Sequence, residues 1–198
     1  MKRVITISRE FGSGGRTIAK QVAETLGYAY YDKELIEEIA MDTGFSKDYI
    51  EKRGEYASGT NIFSYAFIGR SATGASIEDQ LWAKQQEIIL HLAQKGNCVI
   101  VGRSVDYILR NREDCLHVFI HACTEKKVKR IVEVYGETDV EPKKRLRDKD
   151  KKRAANYKYY TDRHWGQAKN YHLCLDSGEF GLDTCTKIIC ELAKERKA

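Results

Sequence analysis

The sequence predicts an α/β protein built on a parallel sheet with helices on both faces. Three observations predict it. The runs Val4–Ile7, Cys98–Val101 and Leu116–Ile120 are apolar at nearly every position, the pattern of strands buried on both faces. Amphipathic helical stretches alternate with these runs. The 198 residues contain a single proline and many strong helix formers, enough chain for one core of moderate size.

The first strand, Val4–Ile7, runs into a loop carrying Gly12, Gly14 and Gly15. A helix follows through TIAKQVAETLG, with Ile18, Val22, Ala23 and Leu26 on one face and Gly27 as its terminator. Tyr28–Tyr31 predicts a short second strand. After Asp32 come a helix through Glu34–Ala40, stopping at Gly44, and a second short helix from Ser46. Residues 54–76, rich in Gly, Ser, Thr and Asn, predict a loop. Ser76 with Asp79 marks the start of a long helix, Ile77–Lys95, closed by Gly96. Strand Cys98–Val101 ends in Gly102-Arg103, and a helical turn is expected around Val105–Leu109. Strand Leu116–Ile120 precedes a helix from Thr124 to Tyr135 that stops at Gly136. The basic segment from Glu141 to about Tyr160 has no broad apolar face, which predicts an exposed or flexible element. A last strand, His172–Leu175, leads through Asp176-Ser177-Gly178 into a final helix, about Leu182–Lys194.

Composition excludes several classes. No apolar run approaches the roughly 20 residues that span a bilayer. The chain opens directly into a strand, so a cytoplasmic protein without a membrane partner is expected. The six cysteines form no C-x-x-C pair, and several lie inside apolar runs; buried reduced thiols are expected rather than a zinc site. The net charge is +5, but Lys143–Arg153 alone holds eight basic and two acidic residues, a net of +6 that leaves the remainder at −1. The basicity is local and points to one anion-binding element.

The loop after the first strand reads ITISREFGSGGRTIA, residues 5–19. Glycines let backbone N–H groups turn inward, and a following helix adds its own N–H groups and dipole, which together bind phosphate. Against the pattern G-x-x-x-x-G-K-[ST], Gly15 takes the second glycine, Arg16 the lysine and Thr17 the magnesium-binding hydroxyl, while Glu10 stands at the first glycine. Arginine still bridges phosphate oxygens in bidentate fashion. A dinucleotide loop, G-x-G-x-x-G, matches at Gly12 and Gly14 but has Thr17 third, with Asp32 twenty residues after Gly12 as a ribose-binding acid. A tight turn with no ligand is the third reading.

Ligands of parallel sheets bind beyond the carboxyl ends of the strands. The residues placed there are 8–17, Asp32, Arg103, Asp106, His121 and Asp176. Asp106 also suits a helix N-terminus, and Asp32 suits either an acceptor-orienting acid or the N-cap of the next helix. His121 and His164 are read as structural. In the basic segment, Arg147, Asp150, Arg153 and Tyr157 share one helical face. A cationic lid stabilises the charge that spreads over a transferring phosphoryl group and keeps water out. Nucleic-acid binding would use the same cations with Tyr157, Tyr159, Tyr160 and Trp165. It would also need basic residues elsewhere, and the near-neutral remainder argues against it.

Four segments, ISREFGSGGRTIA, YYDKELIEEIA, VIVGRSVDYIL and DKDKKRAANYKYYTDRHWGQAKNYHLCLD, resemble in order and spacing the cytidylate kinase-like family, relatives of bacterial cytidylate kinases within the P-loop nucleoside monophosphate kinases. The resemblance covers nearly the whole chain. It implies a three-layer P-loop kinase fold, with a parallel sheet flanked by helices, a monophosphate-binding insert and a lid. The implied layout is a single domain: core about 1–32, 96–139 and 166–198, helical insert about 33–95, basic lid about 140–165. It implies phosphate donation from ATP with Mg²⁺ to a small nucleotide acceptor, CMP or dCMP by analogy. Carried over by position, Ser13, Gly14, Gly15, Arg16 and Thr17 hold the donor phosphates, with Thr17 on the metal. Arg103 binds the acceptor phosphate, with Asp106 near the acceptor and Asp150 and Arg153 in the lid, while Asp32 keeps its two readings as acceptor-orienting acid or N-cap. Bacterial cytidylate kinases carry an arginine four positions before the lid aspartate; here Leu146 stands there between Arg145 and Arg147, and a register shift gives that catalytic role to Arg147 beside Arg16 and Arg153. Arg53 and Arg70 are candidate acceptor contacts in the insert, which matches those enzymes least, and no motif covers either. The alternatives are a kinase of another small metabolite on the same fold, and a nucleotide-binding regulatory protein without turnover.

Overall fold

The computed structural model describes residues 2–32 and 77–195. Arg53, Arg70, the helix expected from Glu34 to a stop at Gly44, the one expected from Ser46 and the loop expected over 54–76 lie outside them. Strand β1 (Val4–Arg9) leads to helix α1 (Gly15–Leu26) and the short strand β2 (Ala29–Tyr31). Helix α2 (Ile77–Lys95) precedes β3 (Cys98–Val101), the single turn α3 (Val105–Ile108) and β4 (Cys115–His121). Helices α4 (Thr124–Tyr135) and α5 (Pro142–Thr161) follow, then β5 (Leu173–Asp176) and α6 (Leu182–Lys194).

The five strands pair in the order β2-β3-β1-β4-β5, all parallel. The central strand β1 therefore has a covered edge on each side, with Val4 opposite both Cys98 and Cys115. Alternation along β1 divides its side chains between the two faces. Ile5 and Ile7 join Ile18, Val22, Cys185 and Ile189 under α1 and α6. Val4 faces the other way, into a core closed by Ile88, Ile89 and Leu92 of α2 and by Val105 and Leu109. The expected three-layer α/β architecture is present. Cys98, Cys115, Cys185 and Cys190 are buried thiols, while Cys123 is exposed. Among the described residues, no helix is long and apolar enough to cross a membrane.

Helix α5 differs from the sequence expectation. Its outer side is exposed as expected, but it is a regular helix, unbroken for 20 residues, and it is docked along one side, with Leu146, Tyr157 and Thr161 buried. The inward stripe is Leu146, Asp150, Arg153, Tyr157 and Thr161, with two large apolar or aromatic anchors among polar groups. A periodicity search for an apolar face passes over such a stripe, because hydrogen bonds and ion pairs dock this helix as much as apolar area does.

Candidate active site

The chain leaves the end of β1 through Glu10–Gly14 and enters α1 at Gly15. Gly12 and Gly14 have φ of 78° and 76°, which L side chains rarely adopt. A Cβ on Gly14 would fall 2.5 Å from Leu182 Cδ2, and one on Gly15 2.5 Å from Arg9 Cβ. The loop is thus pressed against α6 and β1 and tolerates no larger residue. Ser13 is fully buried; its hydroxyl donates to Glu10 O at 2.9 Å, and its carbonyl accepts from the Ser177 hydroxyl. Arg130 of α4 donates to Gly12 O at 2.8 Å. These bonds fix the loop from behind and leave the first turn of α1, with Arg16 and Thr17 exposed, facing outward. The N–H groups of a first helical turn lack intrahelical partners and suit an anion.

Arg16 Nε lies 2.6 Å from Asp32 Oδ2. Asp32, buried at the end of β2, also accepts from the Tyr30 hydroxyl at 3.3 Å. Glu10, the departure from the phosphate-loop pattern, has a structural explanation. Its Oε2 accepts from Lys127 Nζ at 2.7 Å and from the Ala122 N–H at 3.4 Å, tying the loop to the start of α4.

Beside the loop, across the end of β1, lies a pocket lined by Ser8, Arg9, Arg103, Arg153, Asn156 and Trp165 among others. Three arginines line it. The backbone at Gly102, Arg103 and Ser104 runs through three successive left-handed residues, with φ of 75°, 59° and 52°. Gln85 of α2 donates to Arg103 O at 2.9 Å, bracing that turn. Arg153 enters from α5 and donates to Arg9 O at 3.3 Å.

Asp106 stands behind this pocket, 2% exposed. The Tyr157 hydroxyl donates to Oδ2 at 2.6 Å and the Ser8 hydroxyl to Oδ1 at 3.1 Å. Burial raises its carboxyl pKa above the usual range, and the two hydroxyl donors pull it back by favouring the carboxylate. Burial beside Asp106 pushes the Tyr157 phenol up in turn. Asp150 sits one turn before Arg153 and accepts the Phe11 N–H at 2.7 Å. Its carboxyl is raised by burial, against the Phe11 N–H, Arg153 and Lys127, which lower it.

Ser13 through Thr17, Arg103, Asp150 and Arg153 are thus brought to one edge of the sheet, with Asp32 at its β2 end and Asp106 underneath. Arg147 is not brought in: it is exposed on the outer side of α5, and Leu146 takes the inward position against Gly12. Arg145 instead donates to Gly136 O at 2.9 Å. His121 lies 3.8 Å from Asp176 at the paired ends of β4 and β5. Sequence reasoning places Arg9 at this edge only as part of 8–17, without a role, and does not find Lys127, Arg130 or Asn156. Arg9 alone carried a signal, as a cation at a strand's carboxyl end; the others sit on helices where only the fold shows which way they face.

The chain is similar to several known proteins. An uncharacterised protein from Eubacterium ventriosum ATCC 27560 superposes with a TM-score of 0.74 at 26% identity, covering 98% of this chain and 100% of that one. A shikimate kinase from Acinetobacter baumannii is similar with a TM-score of 0.55 at 17% identity, over 100% of this chain and 97% of that chain. A gluconokinase from Sinorhizobium meliloti 1021 is similar at 0.53 and 14%, over 98% and 96%. The last two establish a shared kinase fold only. A search of curated proteins gave no match. The family model described as the cytidylate kinase-like family matches residues 4–179. The chain, with its glycine loop at the end of β1 and its arginine pocket alongside, belongs to the cytidylate kinase-like family.

Proposed function

We propose that the protein transfers a phosphoryl group from ATP to a nucleoside monophosphate, with CMP and dCMP the first acceptors to try. One observation carries the reading: two anion-binding features share the end of β1. The glycine loop lies on one side and the Arg9–Arg103–Arg153 pocket on the other, and α5 reaches both, with Asp150 on the Phe11 N–H and Arg153 on Arg9 O. Two phosphate-bearing molecules held there would meet across that strand end.

The residues fit an ATP–Mg²⁺ donor. The glycines at 12 and 14 adopt left-handed conformations, no acidic residue lies in the first turn of α1, and a threonine hydroxyl and a guanidinium face outward there. When bound, ATP with Mg²⁺ supplies the phosphoryl group and a divalent counter-charge. The backbone of Ser13–Thr17 would hold the donor phosphates, and the Thr17 hydroxyl would reach the metal. Arg16 would exchange Asp32 for phosphate oxygens. Asp32, freed of that cation at the β2 edge, would orient the acceptor. Arg9 and Arg103 would hold the acceptor's phosphate, whose oxygen forms the new P–O bond as the bond to the departing ADP breaks. Arg153 would stabilise the charge spread over the transferring group, the dominant need in phosphoryl transfer. Asp106 supports the pocket from behind by fixing Tyr157. Arg147 has no part in this reading.

The test is ADP release from ATP–Mg²⁺ over a panel of nucleoside monophosphates, with shikimate and gluconate included because the fold is shared with kinases of those names. Turnover with one or two monophosphates is expected. Turnover only with a non-nucleotide acceptor would move the reading to a metabolite kinase, and ATP binding without any turnover to a regulatory nucleotide-binding protein.

A further inference from the structure

We propose that Lys127 is a positioning residue: by pairing with Glu10 and sharing Asp150 it weakens the pull of those carboxylates on Arg153, which also lines the pocket. The proposal rests on the reading of that pocket as the acceptor-phosphate site. Lys127 belongs to α4, outside every segment that carries the phosphate-loop, acceptor or lid patterns, yet it is 8% exposed. Lysine is almost never buried without partners. Its Nζ lies 2.7 Å from Glu10 Oε2 and 3.8 Å from Asp150 Oδ2. One buried ammonium thus joins the first residue of the glycine loop to the middle of α5.

Together with Arg153 the cluster holds two cations and two anions, with side-chain exposures of 11% for Lys127, 11% for Arg153, 18% for Asp150 and 26% for Glu10. Arg153 NH1 is 3.4 Å from Asp150 Oδ1, the oxygen that also accepts the Phe11 N–H. While Lys127 is present, charge within the cluster balances, and Arg153 turns toward Arg9 O and the pocket. Without Lys127, two carboxylates in a poorly solvated place would pull harder on Arg153, which already lies 3.4 Å from Asp150. Coulomb attraction at this separation and depth is strong enough to draw the guanidinium off the pocket. The same logic explains Glu10. A carboxylate at the first loop position is matched by a lysine where a glycine would need none.

The experiment compares wild type, Lys127→Met, Lys127→Arg, Arg153→Met and the pair Lys127→Met with Glu10→Gln. Two readouts are used: steady-state ADP release with ATP–Mg²⁺ and CMP, and CMP titration followed by Trp165 fluorescence in a Trp82→Phe background. Lys127→Met is expected to lower kcat by about tenfold or more, with KM for ATP changed by less than about threefold. Lys127→Arg recovers most of the loss. Adding Glu10→Gln to Lys127→Met also recovers part of it, because a carboxylate without its cation has been removed; this pair keeps the test usable if Lys127→Met alone does not fold. Lys127→Met combined with Arg153→Met is no worse than Arg153→Met, within about twofold. Full kcat in Lys127→Met, or a loss that adds fully to that of Arg153→Met, would overturn the proposal. If the wild type binds CMP without turnover, the kinase reading fails by itself. Lys127 is then decided by the titration: CMP binding weakened as in Arg153→Met supports it, and unchanged binding refutes it. If another monophosphate of the panel is the acceptor, it replaces CMP in both readouts; a wild type that binds none of them defeats both.

Discussion

Arg16 shows how much one position can carry. It stands where a phosphate loop has lysine, and its side chain is 59% exposed while paired with Asp32. A pair so exposed contributes less than about 1 kcal/mol to folding, so the role left to the guanidinium is binding. Arg16→Ala is expected to weaken ATP binding by about tenfold, a loss typical of charge-assisted contacts, with the thermal midpoint nearly unchanged; titration with ATP–Mg²⁺ beside a thermal melt checks both. Residues such as Gly14, Arg16 and Thr17 were legible because their meaning lies in spacing within eight or nine positions. Asp106 was only half legible. Its place at the carboxyl edge of the sheet follows from the strand before it, but its partner Tyr157 is 51 positions away, and nothing local shows that both carboxylate oxygens are taken.

Helix α5 extends the same contrast to the scale of an element. Helices α1 and α6 were readable because each shows a regular apolar face to the sheet. For α5 the sequence supports a helix, and even the register of Asp150, Arg153 and Tyr157, but not docking. What docks it is Leu146 against Gly12, Asp150 on Phe11 N–H, Arg153 on Arg9 O and Tyr157 on Asp106. Leu146→Ala is therefore expected to destabilise the protein by about 2–4 kcal/mol, measured by urea unfolding. Arg147→Ala, on the outward side of the next residue, should stay within about 0.5 kcal/mol of wild type. Equal effects would mean that the helix is held by its charge and not by this stripe.

Over the whole molecule, the alternation of strands and helices was enough to give the layers, since each apolar run has to find cover. The order β2-β3-β1-β4-β5 was not written in any one segment, because it depends on which crossovers pass over which face. Nor was the polar content of the sheet. His117, 3% exposed, hydrogen-bonds Thr6 Oγ1 at 2.8 Å and stacks on His172. Burial, with the neighbouring His172, lowers its pKa to about 4 from an ordinary 6.5. The unfolded chain binds that proton more readily, so the stability His117 contributes is complete above pH 6.5 and is lost as the pH falls toward 4. By about pH 5 the loss is on the order of 2 kcal/mol. Asp106 and Asp150, both raised, act in the opposite sense. Urea midpoints of wild type and His117→Gln between pH 7.5 and 5 separate the terms: the wild type should fall more steeply, and parallel curves would remove His117 from the account.

The left-handed run at Gly102, Arg103 and Ser104 has a consequence for how this chain tolerates change. Two non-glycine residues held there cost roughly 1 kcal/mol each or more, and glycine at either position would relieve that strain. At Arg103, selection for heat resistance alone would therefore favour the loss of a guanidinium from the pocket, while selection for activity would keep it. The turn after β3 is where durability and chemistry compete for the same residues.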